Sequence, residues 1–317
     1  MENVGCNLCK SENLEYLYQI PDEKFNPSEV FSVVECKDCG LGFVNPRPSP
    51  LEMSRYYPPE FYQTLSGSEP KDLERLKSQA EYISKYISKS NDKRLLDVGC
   101  ANGAFLKLMK SNGYNVHGVD PYSPIQDSMD MRIYKTDLPR LPICEPYFDA
   151  ITAWAVLEHV HDPKAYFEKV GQILNKDGIF VFFVPNFRSL AVKRLYSEDV
   201  PRHLYFFTPE NIFRYADEAG LKVELIDYKN KYFIYNPNRW LLYFVHKVLG
   251  TKFMWPVNIS YSQFIEAGGM KRNLSSLIKF FLFHPISFLD SLLAPMVGEI
   301  ERYTKKYAAV IYVVRKR

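Results

Sequence analysis

The chain has 317 residues, two domains' worth at ~150 residues each, and 46% of them are hydrophobic, enough for a sizeable core. A charged fraction of 24% excludes a disordered chain, and a net charge of +3 argues against a dedicated nucleic-acid binder. Aromatic residues stand out at 15%, with 23 Tyr and 22 Phe.

Met1 to Lys10 is polar, with no basic start leading into an apolar stretch, so no secretory signal is read there. The nearest approach to a spanning helix, Leu277 to Val297, is interrupted by Lys279, His284, Pro285 and Asp290. A cytoplasmic location is the expectation, and cysteines there stay reduced. Four of the six cysteines form two C-x-x-C pairs, Cys6 with Cys9 and Cys36 with Cys39. Two such turns aim four thiolates at one point, which suits a tetrahedral structural zinc; unbound thiols are the alternative. A hairpin over Leu14–Ile20 and Val30–Val34 fits between the pairs. So small a module can hardly bury its own core, and metal would staple it. Cys100 and Cys144 stand alone and read as core or loop residues.

Asn45-Pro-Arg-Pro-Ser-Pro50 is a proline-rich exit, followed by a Tyr-rich piece from Tyr56 to Tyr62. Leu73, Leu76, Ala80, Ile83 and Ile87 then repeat at helical spacing, predicting a packing helix opened near Ser68 and Pro70. From Arg94 onward strands and helices alternate. Strands are predicted at Arg94–Val98, Asn115–Val119, Arg132–Thr136, Ala150–Ala153, Ile179–Val184, Leu221–Asp227 and Tyr307–Val314. Helices are predicted at Ala104–Lys110, Pro163–Leu174 and from Thr208-Pro209 to Gly220. This pattern predicts an α/β fold with a mostly parallel sheet, whose ligands bind beyond the carboxyl ends of the strands.

The first such loop is Asp97-Val-Gly-Cys-Ala-Asn-Gly103, where Gly99 and Gly103 permit tight turns and close approach by a ligand. Asp120 ends the next strand, where a carboxylate can take both hydroxyls of a ribose. The dinucleotide pattern G-x-G-x-x-G is not met, because Ala101 and Ala104 occupy its second and third glycine positions.

On these residues Leu95–Phe105 resembles motif I of the class I S-adenosylmethionine-dependent methyltransferases. Val116–Asp120, Thr136–Pro139, Phe148–Ile151 and Val156-Leu-Glu-His-Val160 resemble later segments of that family, and Arg202–Pro209 resembles its lid-to-helix segment. Cys36–Pro48 is similar to the zinc module of a bacterial subgroup associated with sugar and surface-glycan methylation. The resemblance implies a Rossmann-like, doubly wound, seven-stranded sheet preceded by a zinc-ribbon-like module. It implies S-adenosylmethionine beside Asp97, Gly99, Ala101, Asn102 and Gly103, its ribose on Asp120, its adenine near Asp137 and Leu138, and Trp154 flanking it. Ala101 departs from a usual glycine of motif I. A capped strand-end acid is the other reading of Asp97.

The expected domains are a zinc module at 1–48, a linker with the first helix at 49–90, a core at 91–230 with 305–317, and a helical insertion at 231–304. For a hydroxyl acceptor a general base helps, and His159 and His203 lie in suitable loops with Glu158 beside the first. The alternatives are a packing role for His159 and a lid-pinning role for His203 through Arg202 and Tyr205. Glu158, His159 and His161 also suggest a metal cluster, although no further ligand is evident.

The insertion mixes Trp240, Phe244, Trp255, Phe280, Phe281 and Phe288 with Arg239, Lys247 and Lys252. It reads either as a cap or homodimer surface, or as a peripheral membrane contact. The expected activity is methylation of a small-molecule or glycan acceptor, most simply a sugar hydroxyl. Methylation at a carbon of a nucleotide sugar, an RNA methyltransferase and a non-catalytic cofactor-binding scaffold are the alternatives, with nucleic acid disfavoured by charge. The aromatics of Tyr56–Tyr62, Tyr205–Phe207 and the insertion are expected to mark acceptor-facing and docking surfaces rather than core.

Overall fold

The computed structural model describes residues 1–22, 25–58, 70–189, 199–229 and 274–317, with Leu241 and Val248. The predicted hairpin is present as β1 (Leu14–Asp22) and β2 (Asn26–Cys36), and β3 (Gly42–Val44) follows. After the linker comes α1 (Pro70–Ser84), opened by proline where its missing N–H costs nothing. Ala80 and Ile83 on this helix are buried, but Leu73 is largely exposed and Ile87 falls beyond the last turn, so the buried stripe is shorter than its periodicity suggests. Residues 59–69 of the Tyr-rich stretch and helix start lie outside the described residues, apart from Tyr56 and Tyr57.

The core runs β4 (Arg94–Val98), α2 (Ala104–Ser111), β5 (Asn115–Val119), β6 (Arg132–Tyr134), β7 (Phe148–Trp154), α3 (Pro163–Ile173) and β8 (Leu174–Pro185). It continues through β9 (Tyr205–Phe206), α4 (Pro209–Glu218), β10 (Leu221–Asp227), α5 (Leu274–Tyr303) and β11 (Ala309–Lys316). The large sheet has seven strands in the order β10-β11-β8-β7-β4-β5-β6. Strands β6, β5, β4, β7 and β8 are parallel, and β11 runs antiparallel between β8 and β10. This is the doubly wound α/β sheet expected, beside a small antiparallel sheet that carries four cysteines. The chain winds outward from β4 through β5 to β6, then returns to β7 on β4's other side. The crevice at that reversal lies between the loops following β4 and β7.

Residues Ile179–Val184 form an uninterrupted apolar run because both faces of this strand are covered. Three of its residues, Phe180, Phe182 and Phe183, place rings in the core. Phe180 and Phe182 lie 4.7 Å apart, Phe182 stacks on Tyr312 at 5.1 Å, and Phe167 stacks on Tyr215 at 5.3 Å. Of the aromatics expected at acceptor-facing surfaces, Tyr56 and Tyr205–Phe207 are buried instead.

The segment resembling a lid is interior. Tyr205, Phe206 and Phe207 are buried, and β9 pairs with β3, so the small sheet reads β1-β2-β3-β9. A methyl group on Gly42 would lie 2.7 Å from the Phe187 ring, so only glycine allows this approach. One hydrophobic cluster consequently runs from Cys6, Leu8 and Phe43 to Phe182 and Tyr215. On α5, Phe288, Leu289, Leu292, Met296 and Ile300 are exposed. The other calls on the insertion, including Trp240, Phe244 and Trp255, lie outside the described residues. No described helix is long and apolar enough to cross a membrane.

Candidate functional site

Two equivalent turns build the four-cysteine centre. In the first, Lys10 N–H donates to the Cys6 carbonyl; in the second, Gly40 N–H donates to that of Cys36. Lys10 and Gly40 both take left-handed backbone, with φ of 63° and 71°, which turns each chain away from its thiols. The Sγ atoms of Cys6 and Cys39 lie 3.4 Å apart and those of Cys9 and Cys36 3.5 Å apart. These separations are too long for a disulfide and close to the ~3.8 Å edge of a thiolate tetrahedron with metal–sulfur bonds near 2.3 Å. Burial pushes the Cys6 thiol up to about 11 and also raises Cys39. Thiolates crowded in this way call for a cation, so the donor set fits a divalent metal.

At the crevice, Gly99 and Gly103 adopt φ of 71° and 67°. A Cβ on Gly99 would lie 2.6 Å from Val156 Cγ2, and one on Gly103 would lie 2.3 Å from Ile125 Cδ1. Ala101 also sits at positive φ, 45°, which explains why a glycine suits that position. Asp120 Oδ2 accepts from the Ala101 N–H at 2.9 Å, and Oδ1 accepts from the Tyr122 N–H at 2.8 Å. The carboxylate thereby shapes the loop and keeps further lone pairs for a diol. Asn102 Oδ1 accepts from the Ala104 N–H, at the start of α2.

Asp97 is sealed beneath this loop. Burial pushes its carboxyl up to about 7, against the 2.7 Å hydrogen bond donated by the Thr152 hydroxyl. Its contacts are those of a strand-end acid pinning β4 to β7. Trp154, at the end of β7, packs edge-on to Phe105, and its buried indole N–H has no acceptor among the described residues. Asp137 is half-buried at the start of a short 3-10 turn, Leu138–Arg140, and Leu138 is buried. The residues present fit an adenosine-bearing ligand: a cradle that added methyl groups would fill, an acid at the second strand end, and an orphaned donor on the wall.

Beyond β7 the structure gathers Glu158, His159 and His203, with one ligand-type atom of each within 4.8 Å of the others. The two imidazole rings meet edge-on at 4.7 Å. His159 Nδ1 lies 3.0 Å from the Arg202 carbonyl and 3.1 Å from the Tyr57 hydroxyl. His203 Nε2 lies 3.1 Å from Asp199 Oδ2. Glu158 is buried, its Oε2 has no hydrogen-bond partner among the described residues, and burial pushes its carboxyl up to about 7 against the pull of His203. His161 leaves the group, because its Nε2 is held by the Pro48 carbonyl at 3.0 Å.

Sequence reasoning misses Asp199 and Asp22, and reaches Tyr57 only as part of the Tyr56–Tyr62 stretch. Asp199 sits four residues before His203, a spacing that could have signalled the pair. Arg202 was read only as a lid pin. Its guanidinium is fully buried and bonds Asp22 of β1, Asp199 and the Tyr56 carbonyl. The small sheet is thus wired directly to the histidine pair.

With this geometry in place, comparisons with known proteins add the chemistry. Residues 71–226 match the family described as "Methyltransferase domain". The ubiquinone biosynthesis O-methyltransferase of Ruegeria pomeroyi is 28% identical over 190 residues, covering 50% of this chain and 75% of that protein. The enzyme of the same name from Nitrosomonas europaea is 24% identical over 194 residues, covering 54% and 82%. Among solved structures, the 1,6-didemethyltoxoflavin-N1-methyltransferase of Burkholderia thailandensis aligns with a TM-score of 0.45 at 16% identity, over 67% of this chain and 91% of that one. An S-adenosylmethionine-dependent methyltransferase of Mesorhizobium loti aligns at 0.44 and 15% identity, over 76% and 100%. The chain carries a class I S-adenosylmethionine-dependent methyltransferase domain and is an S-adenosylmethionine-dependent methyltransferase.

Proposed function

We propose that this methyltransferase acts on a hydroxyl of a small-molecule acceptor, and that its four cysteines hold a structural zinc. The observation that carries the hydroxyl reading is the pair of half-buried His159 and buried His203, their rings 4.7 Å apart beyond the carboxyl end of β7. His159 Nδ1 faces the Arg202 carbonyl and His203 Nε2 the Asp199 carboxylate, which fixes where each neutral ring carries its proton. The other nitrogen of each then carries a lone pair that can accept a proton, which a methyl acceptor with an O–H must lose. Asp199 orients His203 through the 3.1 Å contact with its Nε2. The relatives from Ruegeria pomeroyi and Nitrosomonas europaea are named as O-methyltransferases, which supports the same reading.

S-adenosylmethionine brings an already activated methyl group to the crevice. Gly99, Ala101, Asn102 and Gly103 cradle it, Asp120 takes its ribose, Asp137 and Leu138 face its adenine, Trp154 walls it, and Asp97 holds the cradle in place. The protein's remaining task is to align the acceptor oxygen, exclude water and take up charge. The test is incubation with labelled S-adenosylmethionine and fractionated small-molecule extract, followed by mass analysis. A label on oxygen, lost in His159→Ala or His203→Ala protein that still binds S-adenosylmethionine by calorimetry, is the expected result. A label on nitrogen or carbon, or unchanged turnover in both variants, defeats the reading.

A second reading concerns location. Leu289, Leu292, Met296 and Ile300 are exposed along one stripe of α5. A stripe of this kind suits contact with a membrane surface. Flotation with anionic vesicles tests it, and protein that stays entirely with the soluble fraction refutes it.

A further inference from the structure

We propose that Glu158, His159 and His203 form a second metal centre, which takes a divalent transition-metal cation. This deepens the hydroxyl reading and rests on it for the cation's role, but not for its binding. Two imidazoles and one carboxylate are a common donor set for a catalytic cation, leaving positions open for an oxygen ligand.

Three observations carry the proposal. The first is convergence: the histidine missing from the Glu158–His159 sequence pair comes from the segment before β9, and all three side chains bring a ligand-type atom within 4.8 Å of one another. The second is tautomer. A carbonyl can only accept, so His159 Nδ1 carries the proton donated to Arg202, with Tyr57 beside the same N–H. A carboxylate likewise fixes the proton of His203 on Nε2. The lone pairs then fall on His159 Nε2 and His203 Nδ1. Metal-binding histidines are held in the same way, with the far N–H given to a carbonyl or a carboxylate. The third is a sealed carboxylate: Glu158 is buried, 1% exposed, beside the two imidazoles. Glu158 Oε2 is sealed from solvent and has no donor among the described residues. A divalent cation supplies the missing partner.

The consequence refines the chemistry. With a cation in place the imidazoles serve as ligands rather than as bases. An acceptor hydroxyl bound to such a cation ionises near neutral pH. Its O–H bond breaks, the proton passes to solvent, and the electron pair stays on the oxygen that takes the methyl group.

The test uses the full chain with its cysteine centre loaded with zinc, titrated with Co2+ and followed by metal analysis and visible absorption. The expected result is one further equivalent, with d–d bands of nitrogen–oxygen coordination and without thiolate charge-transfer bands. Glu158→Gln, His159→Ala and His203→Ala should each weaken that equivalent by at least about tenfold while zinc and S-adenosylmethionine binding persist. His161→Ala should leave it intact. No second equivalent in folded wild-type protein at millimolar Co2+ and Mn2+ overturns the proposal, as does a second equivalent indifferent to all three cluster variants. Oxygen methylation by protein that binds no second metal would sink this centre and leave the hydroxyl reading standing. A second metal with methylation elsewhere would uphold the centre and remove its assigned role.

Discussion

The carboxylate of Asp22 and the guanidinium of Arg202 meet at 3.0 Å with both side chains sealed from solvent. One belongs to β1 of the small sheet, and the other precedes β9 and offers its own carbonyl to His159. Removing Asp22 leaves a buried cation short of a partner, whereas replacing both residues with apolar ones does not. Asp22→Ala should therefore cost about 3–5 kcal/mol, and the joint change Asp22→Leu with Arg202→Met should recover most of it. Urea unfolding of the metal-loaded proteins measures this. A cost below about 1 kcal/mol for Asp22→Ala would mean the pair is not a structural tie.

Metal removal should act locally first. The four thiols are the staple of a module with little core of its own, yet β3 pairs with β9 and Cys6 belongs to the main apolar cluster. Chelation should therefore loosen β1, β2, β3 and β9 together. Amide protection there is expected to fall by at least about a hundredfold while β4 and β7 keep theirs. Uniform loss across the large sheet would contradict this order, and so would no loss anywhere.

The cofactor cradle depends on one carboxylate. Asp120 holds the Ala101 and Tyr122 amides and is the assigned ribose ligand. Asp120→Ala should weaken S-adenosylmethionine binding by at least about a hundredfold, given ~1.5–3 kcal/mol per charge-assisted hydrogen bond. Ala101→Gly should do little. It relieves the ~1–2 kcal/mol cost of a Cβ at positive φ but adds ~0.5–1 kcal/mol of unfolded-chain entropy. Calorimetry on both variants, with chemical denaturation of the second, checks the pair. Equal affinity in Asp120→Ala protein would remove Asp120 from the site.

The alternation of apolar runs made the large sheet legible, since strands such as Ile179–Val184 must be covered on both faces. The cysteine spacing likewise announced its own cluster. What stayed hidden depends on distance in space. Nothing local in the Arg202–Phe207 segment says that it will pair with Gly42–Phe43, so a buried strand read as a lid. Asp22, far away in sequence, gives no sign of meeting Arg202. The histidine cluster was half-legible for the same reason. Glu158 and His159 are adjacent, so the eye adds His161, whereas the fold turns His161 towards Pro48 and brings in His203.

His117 sets an acid limit on the fold. It is buried in β5, stacked on Tyr134, with no hydrogen-bond partner at either nitrogen among the described residues. Burial, reinforced by the charges of Arg132 and Arg94, lowers its pKa to about 4. In the unfolded chain it titrates near ~6.5. Between those values the unfolded chain binds a proton that the native state refuses. Stability therefore falls as pH drops from about 6.5 to 4, by up to ~1.4 kcal/mol per unit, and this loss levels off below. His117→Phe keeps a ring against Tyr134 and Phe148 and removes the titration. Between pH 7 and pH 5 the wild type should lose about 2 kcal/mol more than the variant, measured by urea unfolding at each pH. Parallel pH profiles for the two proteins would show that His117 finds a proton acceptor in the folded state.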